Sequence, residues 1–162
     1  MVDGFGGGQD REKTLAIMRD SCVGSFGAVA LIVLLLARFM ALVEMDALQV
    51  PLALIAGHAV SRLCATFVLS ALDYARPEGK AKPFSNRMGW GELAFAGLCA
   101  LLPLLFMSPW RSIPGVLLAL ASTFWLARLF KRRIGGYTGD CLGATQQLAE
   151  VAFYAGLLCR FS

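Results

Sequence analysis

Four residues spaced for one helix face carry most of the chemistry this chain could perform. They are Asp140, Gly143, Gln147 and Glu150, at i, i+3, i+7 and i+10 of a predicted helix, and Tyr154 continues the line. Gly135 and Gly136 precede them, where a backbone without side chains can approach a ligand closely. Thr138 and Asp140 are both able to cap the helix that starts there. A basic cluster, Arg128, Lys131, Arg132 and Arg133, lies just upstream. Two readings remain open for this stretch: an acid-bearing polar stripe facing a watery cavity inside a bundle, or an ordinary helix start whose acid pairs with a neighbour.

The elements that must position these residues are apolar. The 162 residues are 57% hydrophobic and 16% charged, against ~45–50% and ~25% for a soluble domain. The chain is therefore expected to be an all-α, polytopic membrane helix bundle lying in the lipid bilayer. About five transmembrane helices are expected, near 24–46, 48–72, 89–107, 113–130 and 141–159, each near the ~20 residues a span needs. A single membrane domain, 1–162, follows. Met1 to Gly8 reads as a glycine-rich loop. Asp10 to Ser21 reads as a short amphipathic helix with Leu15, Ile17 and Met18 on its apolar side. A tight turn is expected at Ser108 to Arg111, with Trp110 at the interface.

Composition also excludes classes. One histidine rules out multi-histidine metal sites, and five cysteines without a C-x-x-C pair read as small apolar residues. The net charge of +4 is partitioned by topology and is not a nucleic-acid footprint. Arg11, Lys13, Arg19, the loop bases Arg76, Lys80, Lys82 and Arg87, and the 128–133 cluster all fall on one side of a five-span chain, with residues 1–23. The opposite side receives only Arg111 and Arg160, and Arg38 and Arg62 lie within spans. The basic side is expected to be cytoplasmic. It also gathers Asp3, Asp20, Glu78 and Asp140. Acids, glycines and bases at one membrane surface suit metal-assisted phosphate chemistry, in which carboxylates hold Mg²⁺ and arginines offset anionic charge. Within the second span His58, Ser61 and Arg62 share a face. An arginine at that depth wants an acid on another helix or an anionic ligand.

Several motifs then point to a family. Asp3-Gly4-Phe5-Gly6-Gly7-Gly8 and Ile17-Met18-Arg19-Asp20-Ser21-Cys22-Val23-Gly24-Ser25-Phe26-Gly27 resemble those of adenosylcobinamide-GDP ribazoletransferases, or cobalamin synthases. So do Ser61-Arg62, Tyr74-Ala75-Arg76-Pro77-Glu78-Gly79, and Gly135-Gly136-Tyr137-Thr138-Gly139-Asp140-Cys141-Leu142-Gly143-Ala144, with Glu150 matching a later acid. The resemblance covers nearly the whole chain in order. It implies an enzyme of bacterial cobalamin biosynthesis, in the inner membrane with its active side cytoplasmic. That enzyme joins adenosylcobinamide-GDP to α-ribazole, or its 5′-phosphate, and releases GMP. Mg²⁺ is the implied ion, and the oligomeric state stays open.

Carried over motif by motif, the resemblance gives Asp3, Asp20 and Asp140 catalytic roles, and makes Asp3, Asp140 and Glu150 metal ligands. Arg19, Arg62, Arg76 and Lys80 would neutralise the diphosphate, and Gly135, Gly136, Thr138 and Gly139 would offer it backbone donors. For Arg62 and Glu150 an intramembrane pairing is an equal alternative. Two departures stand out. Cys22 replaces the family's arginine, and the family has upstream spans ending in an acid-rich DGxADxxDG-like motif, of which Asp3-Gly4 resembles the end. The chain is thus expected to be the C-terminal part of the family's domain. The competing readings are an inactive fragment, another Mg²⁺-dependent membrane phosphotransferase such as the CDP-alcohol type, or a transporter subunit.

Overall fold

The computed structural model describes residues 1–8, 10–20, 22–75 and 89–159. Its elements are α1 (Val2–Gly7), α2 (Arg11–Arg19), α3 (Ser25–Val43), α4 (Val50–Ala71), α5 (Trp90–Leu104), α6 (Pro109–Ile134) and α7 (Gly139–Leu157). The protein is an all-α membrane helix bundle. By length and composition α3, α4 and α6 can cross a bilayer. The apolar part of α5 is shorter, and α7 carries Asp140 and Glu150 among its apolar residues.

The bundle is built around α7, which packs against α6, α4 and α3. Small residues set how closely these helices approach, as expected where lipid offers no hydrophobic drive and dispersion contacts must hold the helices. Ala53, Ala56, Ala119 and Ala149 are buried with Phe153 and Tyr154 in one cluster. The tightest crossing is between α6 and α7. A Cβ added at Gly156 would stand 2.5 Å from Gly115 Cα, and one at Gly115 would stand 2.9 Å from the Phe153 ring. Gly156→Ala is therefore expected to overpack the crossing and cost ~1–3 kcal/mol, read as a lowered midpoint of denaturant unfolding in detergent. A second cluster, with Met18, Val68, Leu126, Phe130, Ile134, Tyr137 and Cys141, seats α2 against the end of the bundle where α7 starts. By contrast α3 buries only Ala41 and turns Leu31, Leu35, Leu36 and Phe39 outward.

Three local expectations change. Residues 2–7 form a helix, not a loop: Gly4 sits against Met18 and Thr14, and Phe5 meets the Phe130 ring at 6.0 Å. Packing on α2 and α6 overrides the low helix propensity of glycine. The turn expected at 108–111 is the first turn of α6, with Pro109 at a position where its missing N–H costs nothing. At its other end α6 continues through Lys131, Arg132 and Arg133 to Gly135 (φ 74°). Its 26 residues span ~39 Å at ~1.5 Å each, so the basic turn projects beyond a ~30 Å hydrocarbon core.

Candidate functional site

At the end of the bundle where α7 begins, α1, α2, the segment after α2, α3 and α7 enclose a hollow of about 490 Å³. Asp3, Asp20 and Asp140 all line it, together with Cys22, Gly27 and Gly143. Three acids from three separate motifs are thus brought to one concavity.

Each is placed by local chemistry. Asp3 on α1 accepts the backbone N–H groups of Gly24 (3.1 Å) and Gly27 (2.9 Å), which satisfies unpaired donors at the start of α3. A Cβ at position 24 or 27 would collide with this carboxylate, so both glycines make room for it. Asp20 ends α2 and accepts the Cys22 N–H at 3.1 Å. Through a hydrogen bond and its charge, Asp20 also pushes the Cys22 thiol up from its ordinary range. Asp140 lies in the first turn of α7, where the helix dipole favours negative charge.

The α6–α7 connection is anchored from outside the hollow. Gly135 takes the left-handed conformation that closes α6. Gly136 then lies so close to the Asp73 carbonyl that no side chain fits. Tyr137 N–H donates to Asp73 O and Ala75 N–H donates to Tyr137 O, both at 2.9 Å, so residues 73–75 and 135–138 run side by side. Arg11 locks the pair, donating to Ile134 O (2.9 Å) and Ala75 O (3.1 Å). The Tyr137 ring meets Tyr74 edge-on, and its buried hydroxyl has no partner among the described residues. Burial, then the neighbouring Tyr74 and Asp73, push that phenol above its usual range. Thr138 holds the N-cap position of α7, but its side chain supplies no cap hydrogen bond. The Thr138 hydroxyl turns instead to Cys141 Sγ at 3.3 Å.

Other expected site residues stand apart from the hollow. Gly135, Gly136, Thr138 and Gly139 do not line it, and Gly136 and Thr138 are buried in the anchored connection. Arg19 is exposed at the end of α2, and Arg62 is on the outer face of α4. Arg76 and Lys80 lie outside the described residues. Glu150 is engaged within the bundle: Oε2 accepts from Arg38 and Oε1 accepts from the Tyr154 hydroxyl, both at 2.8 Å. Arg38 also donates to Gln147 Oε1 at 3.0 Å. The sequence signal for this pair was one arginine in the first span and one mid-span acid in the last.

Among the described residues no three His, Cys, Asp or Glu side chains are grouped to enclose a metal ion. The oxygen donors of the hollow fit a different mode, in which Mg²⁺ takes one or two carboxylates and completes its shell with water and phosphate oxygens.

Comparison with known proteins supplies the context. Residues 1–158 match the family described as cobalamin-5-phosphate synthase (CobS). The adenosylcobinamide-GDP ribazoletransferase of Ralstonia pickettii (strain 12J) is 43% identical over 163 residues, covering 99% of this chain and 64% of that protein. That of Ralstonia nicotianae is 45% identical over 153 residues (93% and 59%), and that of Shewanella sp. (strain W3-18-1) is 40% identical over 161 (96% and 62%). The chain thus spans roughly three fifths of the length of these curated relatives. No solved structure matches it significantly. With the family match running through the motifs that build the hollow, the chain belongs to the cobalamin-5-phosphate synthase family.

Proposed function

We propose that this chain carries the acid-lined centre of a transferase that joins adenosylcobinamide-GDP to α-ribazole or α-ribazole 5′-phosphate, giving adenosylcobalamin or its phosphate and GMP. The observation that carries this reading is the meeting of Asp3, Asp20 and Asp140 in one hollow, in a chain whose relatives are named for that substrate. In the reaction a ribose hydroxyl oxygen attacks the phosphorus nearer the cobinamide. The new P–O bond forms as the bond to GMP breaks, and GMP leaves with the electron pair. Positioning and charge neutralisation carry most of the rate in such transfers.

Asp140 and Asp20 would hold Mg²⁺, which when bound neutralises diphosphate charge. Asp3 keeps α1 against the start of α3 and so shapes the wall of the hollow; its carboxylate is a further candidate for the divalent ion. The hydroxyl proton passes to a carboxylate of this group. We assign the hollow to the cytoplasmic face of a bacterial inner membrane, because Lys131, Arg132 and Arg133 cluster at that end of the bundle. These bases also favour approach of an anionic substrate.

The test is a hybrid in which this chain replaces the matching region of the Ralstonia pickettii relative. In membranes, with Mg²⁺ and both substrates, it is expected to release one GMP per cobalamin product formed. A hybrid that inserts and folds but releases no GMP would overturn the proposal.

A further inference from the structure

We infer that the outward face of α4 carrying His58 and Arg62 is an interface for a further transmembrane helix with a carboxylate at mid-depth, supplied by the part of the family's polypeptide that this chain does not cover. The inference rests on the membrane fold and on the relatives' length, and not on the transferase reading.

His58, Arg62, Thr66 and Ser70 recur every four residues and form one polar stripe along α4. Thr66 and Ser70 spend their hydroxyls on carbonyls of their own helix, Arg62 O and Phe67 O, each at 2.9 Å. The side chains of His58 and Arg62 are exposed and have no partner among the described residues. Apart from Ser61 the rest of α4 is apolar. Ser61, expected on the same face as His58 and Arg62, is buried instead and donates to His58 O at 3.0 Å, on the opposite face with Ala53, Ala56, Val60 and Cys64.

Depth makes Arg62 decisive. At ~1.5 Å per residue it lies roughly 18 Å from the Val50 end and roughly 14 Å from the Ala71 end. Snorkelling serves arginines near helix ends, and a charge at mid-depth facing lipid is costly. Membrane arginines face protein or a watery cavity, and pair with acids or carbonyls.

A second copy of this chain does not meet that need. Among the described helices of the membrane bundle, α3 to α7, acids occur only at Glu92, Asp140 and Glu150. Glu92 and Asp140 sit in first turns, at helix ends. Glu150 is at depth, but Arg38 and Tyr154 occupy its two oxygens. Among the described helices no carboxylate at that depth is therefore left for Arg62. The relatives extend well beyond this chain, which covers 59–64% of them. That remainder is long enough for several spans of ~20 residues.

The experiment reads contact, not turnover, so it fails separately from the transferase reading. Cys22, Cys99 and Cys159 are replaced by serine, and a single thiol is introduced by Thr66→Cys or, as a control on the outer face of α6, by Leu120→Cys. The chain is co-expressed with the unmatched region of the Ralstonia pickettii relative, made as a separate membrane polypeptide with single cysteines stepped through its apolar segments. Oxidation is expected to cross-link the α4 thiol to partner positions recurring every three or four residues, and the α6 thiol to none. Adding Arg62→Leu should lower the cross-linked yield roughly tenfold. Arg62→Glu should abolish it, and replacing the facing acid with arginine should restore it. The inference is overturned if the α4 thiols of two copies join each other, or if nothing cross-links. It is equally overturned if bromine-labelled lipid quenches a fluorophore at position 66 as strongly as one at position 120.

Discussion

Asp140→Asn is expected to lower GMP release by the hybrid enzyme about 10²–10³-fold, with little change in thermal unfolding. The residue lies in the first turn of α7 and lines the hollow with Asp3 and Asp20. Asparagine keeps the shape and one acceptor oxygen but removes the charge that would hold a divalent cation. At ~1.4 kcal/mol per factor of ten, that loss amounts to about 3–4 kcal/mol of transition-state stabilisation. The Mg²⁺ concentration for half-maximal rate should rise in parallel, and Asp140→Glu should recover part of the activity. If turnover and Mg²⁺ dependence both stayed at wild-type levels, Asp140 would have no place in the reaction.

Glu150→Leu is expected to act on the fold and leave the chemistry alone. It strands Arg38, whose side chain is 26% exposed, opposite an apolar residue, and it also removes the acceptor of the Tyr154 hydroxyl. Breaking one partner of a buried pair costs ~3 kcal/mol, because the surviving charge is uncompensated. Since α3 buries so little else against the bundle, loosening should centre there, seen as faster hydrogen exchange in α3. The double replacement Arg38→Leu with Glu150→Leu should regain much of the loss, since an apolar pair of similar volume is often as stable as a buried ion pair. Tyr154 would still lack its acceptor, which limits the recovery. A folded Glu150→Leu protein with a shifted Mg²⁺ titration would return Glu150 to the metal-binding residues.

The two acids illustrate how far residue spacing reaches. Asp140 and Glu150 do belong to one helix, α7, as their separation predicted. Periodicity places residues on a face but does not say what that face meets ten residues further along. Near its start α7 borders the hollow; at Glu150 it meets Arg38 of α3.

The bilayer's demand for continuous apolar helices made the bundle legible from the amino-acid order alone. So were the main helices and the end at which bases and acids gather, because length, apolarity and charge asymmetry are local properties. Tertiary structure alone decided that the glycine-rich start coils into α1, that Asp3 meets Gly24 and Gly27, and that Arg11 ties α2 to Ile134 and Ala75. Those outcomes depend on contacts between segments far apart in the chain, where a carboxylate or guanidinium takes whichever backbone group the packing presents. No spacing rule encodes that choice.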